Sequence, residues 1–439
     1  MVARTCPGND RIKRVLAHTQ RILRTHVMRL STRTITPATV VAACLFCCSI
    51  AEAKKPDKPG GGDTTVPRFT LLELPVDGGP IALSETTSGT LTVAIDASEA
   101  GYVSAAFARV NPITQELLQH GFLPEPPFAD PNNGEFKNGH SGPADVNEAG
   151  TIVGQAAAYE DDPDYTGDDI SPNRPIVWTY DEADESYSYE LLPTLDLDDA
   201  AAWGINNLGI VVGRSSGRAV LWNPFSSTPY AIEELNTAET LALGWELLAA
   251  YDINDNGLIV GYGMLAGQRR GFLLDYVTKA IVAVPLVGPA HANPAYRINA
   301  SGRVVGTAWD GGSKHYGTNP DYVQGYSWDG PGSNPVVLAS VTDNTSIAYW
   351  MNDLGMSTGN SYIPTDDYLT NYTVPTLWEL DEQGQSVATD LTSIGIENAR
   401  GWFLARCGDV NNDGWVSVYG RKRSKGQYRW RTVLLIPNN

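Results

Sequence analysis

Cysteine is scarce in this 439-residue chain, and most of it lies at one end. Cys6, Cys44, Cys47 and Cys48 all precede residue 54, whereas Cys407 stands alone in the remainder. A disulfide within the chain after residue 53 is therefore excluded. Because no internal disulfide can stabilise the chain after residue 53, its own apolar core must do so.

Positive charge is also scarce. The first 53 residues hold 8 of the 31 Lys and Arg and 2 of the 50 Asp and Glu, which leaves a net charge of −25 on the remainder. Nucleic acid and anionic membrane surfaces both require cationic patches on their partners. We therefore expect neither as a partner, and we expect an acidic, exposed monomer.

Long apolar runs are missing too. The stretch from about Ala38 to Ile50 is shorter than the roughly 20 residues that cross a bilayer. With a start at Met28, two arginines precede it and Ala51-Glu52-Ala53 follows it, which predicts a secretory signal peptide cleaved near Ala53. A retained membrane anchor and a lipoprotein with its lipid on Cys44 are the alternatives.

These features divide the chain into three parts. Residues 1–53 form the leader, residues 54–67 form a flexible tether rich in Pro, Gly and Lys, and residues 68–439 form a single repeat domain. We expect no membrane span in the mature chain. The predicted location is secreted, cell-surface or periplasmic.

Catalytic motifs are missing as well. The sequence contains no HExxH, GxSxG, P-loop or sialidase-type SxDxGxTW motif. Its four histidines after the leader are far apart in the sequence, at His120, His140, His291 and His315. This pattern favours a protein without enzymatic activity and without a cofactor. A propeller hydrolase or lyase stays open, because it needs only two carboxylates about 5 to 10 Å apart.

What the sequence does contain is a phrase that returns about every fifty residues. It reads AWGINNLGIVVG from Ala202, AYDINDNGLIVG from Ala250 and AYRINASGRVVG from Ala295. Aligned on the first Asn, the copies are anchored at Asn147, Asn206, Asn254, Asn299, Asn352 and Asn411, with a degenerate copy at Asp96. This period is typical of β-propeller blades, and no helical 3.6-residue periodicity accompanies it.

One unit shows what each repeat encodes. LLAAYDI from Leu247 and LIVGYG from Leu258 flank the tight turn NDNG, and two further short strands, GFLLDY and IVAVPL, complete a four-stranded blade. The third strand usually carries a tryptophan, which we expect to pack between blades. These residues are Trp178, Trp222, Trp328, Trp378 and Trp430, with Leu274 in the remaining copy.

The two ends of the repeat domain predict how the ring closes. The last unit stops after TVLLIP, whereas FTLLELPV from Phe69 matches the fourth strands of other units. The N-terminal strand should therefore complete the last blade and remove an exposed sheet edge. The prediction is an all-β protein, a β-propeller of seven blades, with six as the alternative.

The INxxGxVVG phrase, followed by a strand that ends in Trp, resembles the HAF-type probable extracellular repeat family of bacteria. The resemblance covers roughly residues 69–437 and is best at residues 205–213, 253–261 and 298–306. The His-Ala-Phe triplet that names the family is missing here. The resemblance implies export and a repeated β-fold, and it brings no catalytic residues.

Three long segments join a second strand to a third, so they should share one face of the ring. They are dense in Tyr and Asp, residue types that stack on sugars and bond to them or chelate a hard cation. The predicted ligand-binding residues are Tyr165, Asp168, Asp169, Tyr316, Asp321, Tyr322, Tyr362, Asp366, Asp367 and Tyr368. Solvated loops without a ligand are the alternative.

One segment raises the question of calcium. Asp409, Asn411, Asp413 and Gly414 match the start of a calcium loop, although Gly420 stands where a bidentate Glu belongs. The same D-x-N-x-N-G pattern also begins at Asp252, where the repeat turn alone explains it.

Together these features predict an exported, non-enzymatic binding or scaffold module for an extracellular glycan or protein. The alternatives are a hydrolase or lyase acting on polysaccharide and a structural component of the cell surface.

Overall fold

In each repeat, short runs of alternating or continuous apolar residues are separated by tight turns, and these runs form strands. The computed structural model describes residues 67–99, 102–126, 128–129, 136–137, 139–158, 173–196, 199–310, 323–342, 345–363, 372–382, 384–424 and 426–438. The predicted leader and nearly all of the predicted tether lie outside these residues. In the described part of the chain, no helix has the length and apolar character that crossing a membrane requires.

The described strands pair into seven sheets of four or five strands, which are the blades of an all-β propeller. Blade 1 contains β2 (Gly78–Leu83), β3 (Leu91–Glu99), β4 (Tyr102–Val110) and β5 (Leu117–Phe122). Blade 2 contains β8 (Gly139–Val146), β9 (Ile152–Ala158), β10 (Arg174–Asp181) and β11 (Ser186–Leu191). Blade 3 contains β12 (Ala200–Ile205), β13 (Val211–Ser215), β14 (Arg218–Asn223) and β15 (Ala231–Glu234).

Blades 4 to 6 follow the same order. Blade 4 contains β16 (Trp245–Ile253), β17 (Leu258–Leu265), β18 (Gln268–Asp275) and β19 (Ile281–Ala283). Blade 5 contains β20 (Ala295–Ile298), β21 (Val304–Trp309), β22 (Val323–Trp328) and β23 (Val336–Leu338). Blade 6 contains β24 (Thr345–Met351), β25 (Ser357–Ile363), β26 (Tyr372–Leu380) and β27 (Ser386–Asp390). The helix α1 (Ala238–Ala242) and the strand pair β6 (Phe128–Ala129) and β7 (Phe136–Lys137) lie in connections between blades.

Blade 7 confirms the predicted closure of the ring. It contains β29 (Trp402–Val410), β30 (Val416–Ser424) and β31 (Gln427–Pro437), and the N-terminal strand β1 (Phe69–Glu73) pairs antiparallel with β31. A short strand, β28 (Ile396–Glu397), adds to β1 in parallel. The fourth strand of the last blade thus comes from the other end of the domain, and the prediction of seven blades is correct.

The core lies between the blades, because each sheet is apolar on both faces. Separate clusters of buried side chains fill the seven interfaces between neighbouring blades. Trp178, Trp222 and Trp378 are nearly inaccessible, and each indole Nε1 donates to a carbonyl of the preceding blade, at 2.7 to 2.8 Å. The prediction that these tryptophans pack between blades is confirmed.

Two details of the predicted repeat are wrong. Asp96 does not follow an inner strand but lies within β3, and the first turn runs from Ser84 to Gly89, after β2. In blade 7, Leu435 occupies the position of the repeat tryptophan opposite Val416, whereas Trp430 pairs with Arg421. In the first copy, a serine replaces the repeat asparagine and the turn is longer, so the repeat phrase is hard to recognise in the sequence. In blade 7, the extra length of the β30–β31 hairpin moves Trp430 away from the common position of the tryptophan.

The ends of the ring differ. One end, here called the turn face, carries the turns between inner and second strands, such as residues 206–209 and 254–257. The opposite end, the loop face, carries the turns between second and third strands, such as Ser216–Gly217 and Ala266–Gly267.

Candidate functional site

Every inner strand contains a bulge shortly before its turn. The pairing register shifts between Ala202 and Gly204 in blade 3 and between Ala250 and Asp252 in blade 4, and the other five blades shift at the same place. A bulged residue makes no ladder pair and turns its side chain away from the regular pleat. The bulges therefore present one set of side chains around the axis of the ring.

In blades 3 to 6 the bulged residue is aromatic. Trp203, Tyr251, Tyr296 and Tyr349, here called the aromatic arc, touch in succession at centroid distances of 5.0, 5.4 and 5.7 Å. Tyr251 is buried, whereas the other three rings are half-buried. The arc thus offers ring surface from four consecutive blades in one continuous row.

Two second-strand residues extend the arc. The Tyr262 ring stacks on Tyr251 at 5.7 Å, and the Arg214 guanidinium lies 5.7 Å from the centroid of Trp203. Arg214 is 4 % exposed, and its Nε has no hydrogen-bond partner among the described residues. The arc therefore combines ring faces with one buried, incompletely bonded donor.

The other three blades have no aromatic residue at the bulge. Ile81, Ala144 and Gly408 occupy the equivalent positions in blades 1, 2 and 7. The ring is therefore asymmetric inside, with aromatic residues on one side and small or aliphatic residues on the other.

The next residue of the inner strand is an aspartate in three blades. Each carboxylate of Asp145, Asp252 and Asp409 accepts the N–H of its following residue and an N–H of the next blade, at 2.7 to 3.1 Å. These hydrogen bonds connect blade 2 to blade 3, blade 4 to blade 5, and blade 7 to blade 1.

An arginine occupies the same position in blade 5 and spans the ring. Arg297 Nη2 donates to the Ala144 carbonyl of blade 2 at 3.2 Å, while its Nη1 donates to the Tyr296 and Tyr251 carbonyls. Burial lowers the pKa of Arg297, but the nearby Asp145, Asp252 and Asp409 outweigh this and raise its pKa. The guanidinium stays charged and partly balances three carboxylates.

These carboxylates have raised pKa values because burial disfavours their charged form. The pKa of Asp252 rises to about 7 and that of Asp409 to about 8, although the backbone N–H bonds and Arg297 counteract the rise. Raised pKa values are typical of catalytic acids but also of buried structural carboxylates. All three carboxylates accept the same two kinds of main-chain N–H donor, one from the following residue and one from the next blade. Their role in joining the blades therefore explains their geometry, and a catalytic role is not needed to explain it.

The turn face carries a second set of equivalent residues. Asn147, Asn206, Asn254, Asn299 and Asn352 each donate their Nδ2 to the backbone carbonyl of the corresponding Asn in the next blade, at 2.8 to 3.3 Å. Asn411 Nδ2 has no partner among the described residues, and blade 1 has Ser84 at this position. The asparagine ladder therefore links blades 2 to 7 and is missing on both sides of blade 1.

Carboxylates surround this end of the ring. Burial, together with the charges of Asp353, Asp413 and Glu148, raises the pKa of Glu85 to about 7, although a hydrogen bond from the Asn412 backbone N–H counteracts the rise. Among the described residues, no group of three or more His, Cys, Asp or Glu side chains is arranged to hold a metal ion.

The predicted calcium loop is a repeat turn in this structure. The Asp409 carboxylate accepts from Leu83 and Val410, the Asn411 Oδ1 accepts from Trp415, and Asp413 bonds to Thr86. Each side chain thus has a different protein partner.

Of the ten predicted ligand-binding residues, the structure describes one. Tyr362 lies at the loop-face end of β25, half-buried, between Thr345 and Thr373 on the neighbouring strands. The other nine lie outside the described residues: Tyr165, Asp168, Asp169, Tyr316, Asp321, Tyr322, Asp366, Asp367 and Tyr368. Sequence reasoning missed the aromatic arc and the shared role of Asp145, Asp252 and Asp409, although both sets occupy fixed positions before the repeat asparagine.

No family model matches the sequence, and no curated protein matches it. Among solved structures, TolB from Acinetobacter baumannii is similar at 10% identity over 79% of this chain and 80% of that chain, with a TM-score of 0.36. The phage phi92 endosialidase is similar at 9% identity over 85% and 70% of the two chains, with a TM-score of 0.39. The assignment of the propeller rests on the strand pairing.

Proposed function

We propose that this protein is an exported β-propeller that acts without catalysis as a binding module for an extracellular glycan or protein. The observation that carries the proposal is the aromatic arc. Half-buried aromatic rings provide large, rigid contact area with little loss of conformational entropy, and Tyr adds a polar end. Sugars present an apolar face and polar edges, so a glycan fits this surface best.

Export is the part of the proposal that comes from the sequence. The predicted signal peptide before Ala53 and the resemblance to the HAF-type repeat family both support it. Lipid attachment at Cys44 remains the alternative anchor. Fractionation of cells that express the full chain, with N-terminal sequencing of the exported form, tests both possibilities: export predicts a mature start near residue 54.

Binding is tested with a panel of neutral and acidic polysaccharides, monitored both for binding and for released product. Replacing Trp203 and Tyr296 together by Leu keeps apolar, though smaller, side chains and removes two stacking surfaces. We expect the affinity to fall about tenfold or more, and we expect no product. The matched control replaces the exposed rings of Phe225 and Tyr189 by Leu. Equal loss in both variants, with unchanged melting temperatures, would remove the arc from the proposal.

A hydrolase or lyase is the second candidate, and the buried inner-strand aspartates Asp145, Asp252 and Asp409 are the observation that favours it. Asp252 combines burial, a pKa of about 7 and the neighbouring Asp145, which suits a general acid. Product release by the native chain that disappears in Asp252→Asn, while the folded state persists, would establish an enzyme and overturn the binding proposal.

A further inference from the structure

The outer half of the β30–β31 hairpin reverses the charge of the rest of the molecule. Residues 421–431 contain six Lys and Arg and no Asp or Glu, in a chain whose net charge is −19. Five of the six cations lie in the described part: Arg421, Lys422, Arg423, Arg429 and Arg431. We call this segment, residues 421–431, the basic hairpin.

One face of the basic hairpin alternates arginine with aromatic rings. Arg421 stands opposite Trp430, and Arg423 stands opposite Tyr428. The Arg421 guanidinium lies 4.7 Å from the Tyr428 ring and 5.3 Å from the Trp430 ring, and Trp430 stacks on Tyr419 at 4.6 Å. Stacked guanidinium groups keep their N–H edges available for an anion.

The opposite face places like charges together. Lys422 pairs directly with Arg429 across the two strands, an arrangement that destabilises a sheet. Lys422 has an acidic neighbour, Glu73, at 3.7 Å, and Arg431 pairs with Asp77. Arg423 and Arg429 are exposed, and neither side chain makes an ion pair or hydrogen bond with another described residue.

Packing does not explain the basic hairpin. Val433 to Ile436 of β31 are buried in the core, whereas Gln427 to Arg429 are exposed. The corresponding hairpin of blade 3 is shorter and ends at Ser215 and Arg218, whereas the hairpins of blades 1 and 4 are about as long as that of blade 7. What distinguishes blade 7 is that the outer half of its hairpin carries only positive charge, from six Lys and Arg, at an electrostatic cost that a bound anion would offset.

We propose that the basic hairpin binds an acidic polysaccharide, with its arginines on the carboxylate or sulfate groups and its aromatic rings on the sugars. Guanidinium forks match carboxylate and sulfate geometry, and the interleaved rings add an apolar contact that simple anions lack. The strong negative charge elsewhere repels duplex nucleic acid, with its closely spaced phosphates, more than it repels a polysaccharide with at most one carboxylate per sugar. The site deepens the proposed glycan-binding function but uses residues distant in sequence from the aromatic arc.

The test measures binding of polygalacturonate to the full chain by calorimetry at several salt concentrations. We expect Arg423→Gln with Arg429→Gln to lower the affinity at least tenfold and to reduce the salt dependence. Tyr428→Ala should lower the affinity for polygalacturonate but leave binding of inorganic polyphosphate nearly unchanged. The matched control, Lys279→Gln with Arg400→Gln, removes the same charge elsewhere and should bind like the native chain.

Each result decides the matter. Equal losses in the arginine variant and the control would overturn the proposal, since net charge alone would then explain binding. Tighter binding of a single-stranded oligonucleotide or of anionic lipid vesicles than of polygalacturonate would also overturn it. Loss in the basic hairpin variants alone, with native binding of neutral glycans, would support this site even if the Trp203 and Tyr296 variant shows no effect.

Discussion

The buried side chain of Asn254 bonds in two directions at once. Its Oδ1 accepts from Asn256 and Leu258 within its own turn, while its Nδ2 donates to the Asn299 carbonyl of the next blade. A carboxylate has no N–H to donate, and a serine side chain is too short to make both contacts. This double role explains why asparagine recurs in the repeat phrase.

Replacing Asn254 by Ala should therefore destabilise the protein by about 2 to 4 kcal/mol, because buried donors and acceptors lose their partners. Asn411→Ala is the matched control, since Asn411 makes the turn bond to Trp415 but has no partner for Nδ2. We expect its cost to be smaller by about 1 kcal/mol. Urea unfolding of both variants measures the difference, and equal costs would contradict the proposed ladder.

The pKa of Asp409 gives a second prediction at this scale. Its pKa rises from 3.8 to about 8 on folding, because burial disfavours the charge more than Arg297 and the N–H bonds favour it. Between these values the folded form keeps a proton that the unfolded form has released. Raising the pH from about 4 to 8 should therefore lower the free energy of unfolding, by at most about 1.4 kcal/mol per pH unit for each linked proton.

Asp409→Asn cannot titrate, so its melting temperature should fall less steeply over the same pH range. Asp145 and Asp252 titrate nearby and keep part of the slope in this variant. Melting curves at constant ionic strength measure both slopes. A native melting temperature that rises from pH 4 to 8, or an unchanged slope in Asp409→Asn, would contradict the raised pKa.

At the scale of the strand, local signals were sufficient for most elements. NDNG predicts a tight turn, and Gly257 there has a φ of 78°, which favours glycine. The repeat glycine has a different reason, which concerns a neighbouring strand. At Gly213 a Cβ atom would lie 2.0 Å from the Ala201 carbonyl oxygen, because the bulged inner strand approaches closely.

Other features of the elements depend on partners that are distant in the sequence. Ser84 replaces Asn in a longer first turn, so Asp96 matched the repeat text better although it lies within a strand. The register of Leu435 and Trp430 follows from pairing with β30, which no local pattern reveals. The aromatic arc likewise requires four bulges in four blades, so the sequence predicts the fold better than the site.

At the scale of the whole molecule, the ring depends on contacts between its two ends. Five residue pairs join β1 to β31, and Asn438 adds two hydrogen bonds to Pro67 and Arg68. Phe69, Leu71 and Leu74 are buried at this closure. Phe69 and Leu71 belong to the cluster between blades 6 and 7, and Leu74 belongs to the cluster between blades 7 and 1, so this end of the chain contributes to both interfaces of blade 7.

A chain that begins at Val76 should therefore lose cooperative folding, whereas one that begins at Arg68 should melt like the full chain. Removing one buried Phe or Leu side chain costs about 2 to 5 kcal/mol, and three such losses approach the whole stability of a typical domain. A synthetic peptide spanning residues 68–76 should restore the cooperative transition by adding the missing strand. Calorimetry decides: if the shorter chain melts within a few degrees of the longer one, closure by β1 does not stabilise the ring.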